Sequence, residues 1–113
     1  MSRLIKFRAK ETIFGHFVYW NIGETPNYQM LDFKTLGELT GLLDREGKEI
    51  WEGDIIKNNN GVIFQIVWEP SHCGFVQHEY GTHFIERKWF PMEFNNKEVL
   101  GNIYSNPELL ENK

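Results

Sequence analysis

Four side chains able to ligate a transition metal, His72, Cys73, His78 and His83, fall within twelve residues of this sequence. Zinc accepts that donor set. The spacing opposes it, because adjacent His72 and Cys73 point to opposite faces of an extended chain and the five-residue step from His78 to His83 also changes face. No CxxC or HExxH pairing accompanies them. We therefore assign no metal site and expect the histidines to be solvated or hydrogen-bonded. Cys73 as a nucleophile would need a histidine and an electropositive pocket, which the sequence does not specify.

Lys6, Arg8 and Lys10 alternate with Ile5, Phe7 and Ala9. On one face of a strand the three cations could contact phosphates, with Tyr19 or Trp20 offering rings for bases to stack on. The plainer expectation is a basic edge strand that deters edge-to-edge pairing. A formal net charge of -4, which gives no long-range attraction for polyanions, favours that plainer role. Glu49, Glu52, Asp54, Glu69, Glu79 and Glu86 are the candidate acid/base carboxylates. A hydrolase pair must be held about 5 to 9 Å apart in a cleft, and a chain with 25% charged residues offers such pairs by chance. Turn caps and solvated faces are the expectation for them. No glycine-rich phosphate loop, GxSxG elbow or GxGxxG turn occurs. No catalytic residue, cofactor or enzymatic activity is assigned.

The elements that would position these groups are short. Residues 3 to 9 have the period of two of a half-buried strand, and HFVYWN after Gly15 is dense in β-formers. Residues 22 to 38 show no sustained period and predict a long excursion, with a short strand or helical turn around Met30 to Leu36. In TGLLDREGKEIWEGDIIK (40 to 57), Asp44 and Gly47 suit a turn joining two strands, and Gly53 with Asp54 suits a second bend. Leu42, Ile50, Ile55 and Ile56 are expected to alternate into the core, with Glu49 and Glu52 in solvent. Asn58 to Gly61 is a tight-turn sequence. In the strand after it Val62, Phe64, Ile66 and Trp68 share one face, while Ile63 and Val67 leave the other apolar too, as in a central strand. Residues 74 to 79 and 82 to 87 form a further pair, and Val99 to Tyr104 a last strand. Asn106-Pro107-Glu108 signals the start of one short helix through Leu110. Trp51, Trp68 and Trp89 are expected in the core or at its rim.

The sum predicts a mainly β single domain over residues 1–113, with about seven to nine short antiparallel strands as an SH3-like barrel or sandwich and one short C-terminal helix. Nine Phe, four Trp and four Tyr among 113 residues give ring surface enough for one core. A single cysteine suits a reducing compartment. No apolar run approaches the ~20 residues that span a bilayer, and no signal-peptide core opens the sequence. A cytoplasmic protein without a membrane partner is expected.

IKFRAK (5 to 10), TGLLDREGKEIWEGDIIK (40 to 57), VIFQIVWE (62 to 69) and EVLGNIYSNPELL (98 to 110), in that order and spacing, resemble the YopX family. The four motifs cover roughly half the chain. The resemblance implies a predominantly β domain of phage or prophage origin acting in the bacterial cytoplasm, with no established activity and no catalytic residues to carry over. Residues 11 to 39 and 70 to 97, which include the His/Cys cluster, carry no family signature. Two functions follow as expectations. The first is a non-enzymatic module that binds a host or phage protein or a second copy of itself; the alternative is a small nucleic-acid-binding barrel using Lys6, Arg8 and Lys10.

Overall fold

The computed structural model describes residues 5–24, 26, 30–70, 74–79, 87–88 and 97–110, omitting the side chains of residues 79, 87 and 88. Two antiparallel sheets make up the fold. The first contains β1 (Lys6–Glu11), β2 (Phe17–Asn21), β3 (Leu31–Leu43) and β4 (Glu49–Trp51), in the order β2-β1-β3-β4. The second contains β5 (Asp54–Lys57), β6 (Ile63–Glu69), β7 (Gly74–Glu79), β8 (Arg87–Lys88) and β9 (Glu98–Asn102), in the order β8-β7-β6-β5-β9. The mainly β class expected from the sequence is therefore observed. The C-terminal helical signal becomes a single 3-10 turn, Pro107–Leu110. Asn106 does not spend its carboxamide on that turn. Its Oδ1 instead accepts the Asn102 N–H at 3.2 Å and lies where any side chain on Gly101 would fall.

The largest departure from expectation is β3. Where a short strand or helical turn is expected around Met30 to Leu36, a thirteen-residue strand runs from Leu31 to Leu43. Its hydrophobic period is hidden by a register shift against β1 between the Lys10 and Arg8 pairings, so inward and outward residues do not alternate cleanly. Leu42, expected in the core, is exposed near the end of this strand.

The turns follow their chemistry closely. Asp44 Oδ1 accepts the N–H groups of Glu46 (2.9 Å) and Lys48 (2.8 Å), while Gly47 takes the left-handed φ of 81° that closes the turn. Asp44 Oδ2 reaches the other sheet to accept the Val99 N–H at 3.0 Å. Beside it the Arg45 N–H donates to the Lys97 carbonyl at 2.9 Å. One carboxylate thus fixes a turn and docks it on β9. Gly53 carries the chain from β4 into β5 with φ 90°. Its N–H donates to the Ile66 carbonyl and its carbonyl accepts the Ile103 N–H, and Tyr104 packs 3.2 Å from where a Cβ would stand. Asn58 Oδ1 accepts the Asn60 and Val62 N–H groups across the β5–β6 turn.

The main core cluster is Ile50, Ile56, Phe64 and Ile66, with Val62, Phe75 and Val99 packed against it. Ile50 comes from the first sheet and the others of the cluster from the second, so the cluster joins the two. Both β5 and β6 are central in their sheet. Trp51 is buried as expected, whereas Trp68 is 44% exposed and serves as a rim residue packed edge-on to Phe75, centroids 5.1 Å apart. Trp89 lies outside the described residues.

Burial raises the Asp44 pKa, but the donated N–H groups of Val99, Lys48 and Glu46 outweigh it and hold the carboxyl below its ordinary value. A carboxyl depressed on folding stabilises the protein above its unfolded pKa, and that stabilisation is lost as pH falls through the folded value. Asp44→Asn replaces one acceptor oxygen with a donor facing a backbone N–H, and should cost about 2 kcal/mol in urea denaturation at neutral pH. The difference between the two proteins should shrink as the pH is lowered below 3.8.

Candidate functional site

The basic stripe on β1 is not at a sheet edge. β1 lies between β2 and β3, so the edge-protecting role does not describe it, and of the three cations Arg8 is buried while Lys6 and Lys10 are half-buried. Register decides which way it faces: Arg8 is opposite Tyr19 and Lys10 opposite Phe17, while Phe7 is opposite Trp20. Of the two rings offered by YW, Tyr19 shares the cationic face and Trp20 packs with Phe7 on the reverse, centroids 6.0 Å apart.

Arg8 is 5% exposed and Asp54, on the other sheet, 3%. Arg8 Nη2 donates to Asp54 Oδ1 at 2.8 Å, and Asp54 Oδ2 accepts the Trp51 N–H at 2.8 Å. The cap at the Gly53 bend is also the counter-ion of the stripe's central cation. The guanidinium carbon lies 4.2 Å from the Phe17 ring centroid and 5.2 Å from that of Trp51, which replaces part of its lost hydration with the negative faces of two rings. Burial pushes the Asp54 carboxyl above its ordinary range, opposed by the Arg8 charge and the Trp51 N–H.

Around this pair opens a cleft of about 420 Å³ lined by Lys6, Arg8, Phe17, Tyr19, Lys48, Glu49, Trp51, Asp54, Val99, Gly101 and Asn102. Tyr19 packs on Trp51 with centroids 5.2 Å apart and a 56° tilt, and Lys6 Nζ sits 5.9 Å from the Tyr19 centroid. Lys10 stands 5.6 Å from the Phe17 centroid and is not in the lining. Of the three stripe cations, then, Arg8 is consumed structurally and Lys6 faces the cleft. Lys48, Phe17, Trp51 and Asn102 were not read as site residues from sequence. They come from three chain segments far apart in sequence, and no local spacing marks them. Four cleft residues, Lys48, Glu49, Trp51 and Asp54, belong to the 40 to 57 stretch whose pattern reads as turn and core alone.

The remaining candidates fall only partly within the described residues. His72, Cys73 and His83 lie outside the described residues, as does Glu86, and His78 is on β7. Among the described residues no group of three or more His, Cys, Asp or Glu is placed to hold a metal. Glu49 is exposed. Glu52, expected in solvent, is half-buried with its pKa raised by burial and by the Glu38 charge, and its Oε1 accepts the Glu38 N–H at 3.3 Å. No helix among the described residues is long and apolar enough to cross a membrane.

The family model described as YopX protein matches residues 8–111. Among solved structures, the crystal structure of protein EF1440 from Enterococcus faecalis is similar to this chain, with a TM-score of 0.55 at 21% identity over 96% of this chain and 99% of that one. At that identity the likeness is one of fold. No curated protein matches.

Removing one partner of a buried ion pair strands the other charge. Arg8→Met should therefore cost about 3 to 5 kcal/mol. Arg8→Met with Asp54→Asn, which keeps an acceptor for the Trp51 N–H without the charge, should regain roughly half of that. Loss of Arg8 raises the Asp54 pKa further. A carboxyl raised on folding contributes stability that is present below its unfolded pKa and lost as pH rises through the folded one, so the Arg8→Met deficit should be greatest at neutral pH and shrink on acidification. Chemical denaturation across pH checks all three.

Proposed function

This chain belongs to the YopX family, and from that premise we propose that it is a phage- or prophage-encoded accessory protein of the bacterial cytoplasm, acting as a non-enzymatic module that binds a protein partner or a second copy of itself. The observation that carries this is the outer hairpin. β2 is an edge of its sheet among the described residues, and the tip leading into it holds Ile13 and Phe14 at 60% and 77% exposure. Glu11 Oε1 accepts the Phe14 N–H at 2.6 Å, so the tip presents these apolar side chains on an ordered turn. An edge strand beside exposed apolar groups suits strand addition or apolar docking. The most buried charges of the cleft are engaged with each other and the backbone, which supports binding over bond-breaking chemistry. We also propose that the two sheets, joined directly at the Gly53 bend, form a small barrel of the SH3-like kind.

A second reading, a small nucleic-acid-binding barrel, is favoured by Lys6 and Lys10 standing over the rings of Tyr19 and Phe17, with Arg8 now assigned to Asp54 and removed from the contact set. Cations interleaved with rings suit single strands.

Affinity capture from infected cells, with light scattering on the purified protein, tests the first reading. The native chain should recover a specific partner or form a symmetric oligomer, and Ile13→Ser with Phe14→Ser should weaken that association at least about tenfold, an apolar pair of this size being worth that much or more. A strictly monomeric protein that captures nothing specific overturns it.

A further inference from the structure

The cleft carries two kinds of group that Arg8 and Asp54 do not use up. Tyr19 is 48% exposed, so part of its ring is open beyond its contacts with Phe17, Trp51 and Lys6. Lys6 and Lys48 are the other kind. Among the described residues neither ammonium has a carboxylate within ion-pair distance. The lining holds three cations, Lys6, Arg8 and Lys48, against two carboxylates, Glu49 and Asp54, in a chain whose formal net charge is -4. The lining therefore has a net charge of +1 in a molecule of net charge -4, and low-dielectric aromatic walls strengthen its pull on an anion.

We propose that this cleft binds a nucleotide, with its base on the Tyr19 ring and its phosphate between Lys6 and Lys48. An uncharged ring would leave both ammoniums without an anion in direct contact, and inorganic phosphate would leave the Tyr19 face unstacked. A nucleotide uses both. Every base has a face that can stack on Tyr19 whatever its edge pattern, and the two ammoniums act as point charges for phosphate. Asn102 supplies a polar group: its Oδ1 accepts the Tyr104 and Ser105 N–H groups at 3.0 and 2.9 Å, which fixes the carboxamide and leaves Nδ2 as a donor. The volume of about 420 Å³ falls within the range of small-molecule sites. Arg8 and Asp54 form the floor and position the rings through the Phe17 and Trp51 contacts. The inference deepens the nucleic-acid reading above by naming the unit recognised, and free nucleotides and single strands share that chemistry.

The test is a titration of the full chain, followed by backbone amide NMR at low salt, with AMP, GMP, CMP and UMP in turn, with a mixed-sequence single-stranded oligonucleotide, and with inorganic phosphate. Saturable shifts centred on residues 17–19, 48–51 and 99–102 are expected with nucleotide. Tyr19→Ala and the pair Lys6→Ala with Lys48→Ala should each weaken binding about tenfold or more, with thermal unfolding confirming that the variants fold. Mononucleotides that bind as tightly as the oligonucleotide identify a free nucleotide as the ligand; a tighter oligonucleotide with a steeper salt dependence identifies a strand, and both support the inference. No saturable shift with any nucleotide or strand, or equal affinity for inorganic phosphate, overturns it. Oligonucleotide binding that depends on Lys10 but not on Tyr19 or Lys48 also overturns it, while leaving the broader nucleic-acid reading standing.

Discussion

The Arg8–Asp54 pair is the constraint around which the two sheets are arranged. Each residue sits on a different sheet and each is almost wholly buried. Taking two charges out of water costs several kcal/mol per ion before their attraction repays it, so the pair persists only with further partners. Those partners are visible: the Trp51 N–H on Asp54, and the Phe17 and Trp51 rings beside the guanidinium. The energetic balance of such a pair is modest, but its geometry is demanding. It fixes how β1 faces β5, and with that the walls of the cleft.

Asp44 performs a related task with backbone donors. Three N–H groups, two from the turn and one from β9 of the other sheet, end on one carboxylate, and Arg45 reinforces the junction through the Lys97 carbonyl and the Glu98 carboxylate. Together with Ile50, which brings the first sheet into the Ile56–Phe64–Ile66 cluster, this makes the 40 to 57 stretch the hinge of the architecture. A chain of this size buries a limited core, and these polar anchors define one packing of the sheets against each other.

Such anchoring separates the structural groups from the accessible ones. The charges that hold the sheets are almost wholly buried and engaged with each other, while Tyr19, Lys6 and Lys48 at the cleft and Ile13 and Phe14 at the hairpin tip are presented on elements fixed by those anchors. The cleft and the tip are different surfaces of different chemistry, one cationic and aromatic, the other apolar. A cleft ligand and a partner at the tip would each find a site built without the other.

Turn chemistry and strand periodicity are local properties, and the sequence by itself determined them: the Asp44–Gly47 turn, the Gly53 bend and the Asn58–Gly61 turn follow from φ preference and side-chain capping, whereas the burial of both adjacent Ile55 and Ile56, which point to opposite faces of β5, needs both faces covered by the fold. The ordered motifs likewise determined the family. Where local pattern was broken, as at the register shift in β3, a long strand read as irregular chain with a short strand or helical turn at most. Which face of β1 met the other sheet was decided only by tertiary structure. Alternation separates Lys6, Arg8 and Lys10 from Phe7 and Ala9 but assigns neither set to solvent, and a buried arginine is recognisable only once its counter-ion, 46 residues away, is in place. The cleft was decided the same way, because its lining comes from residues 6 to 19, 48 to 54 and 99 to 102, and proximity created by folding leaves no mark on spacing along the chain.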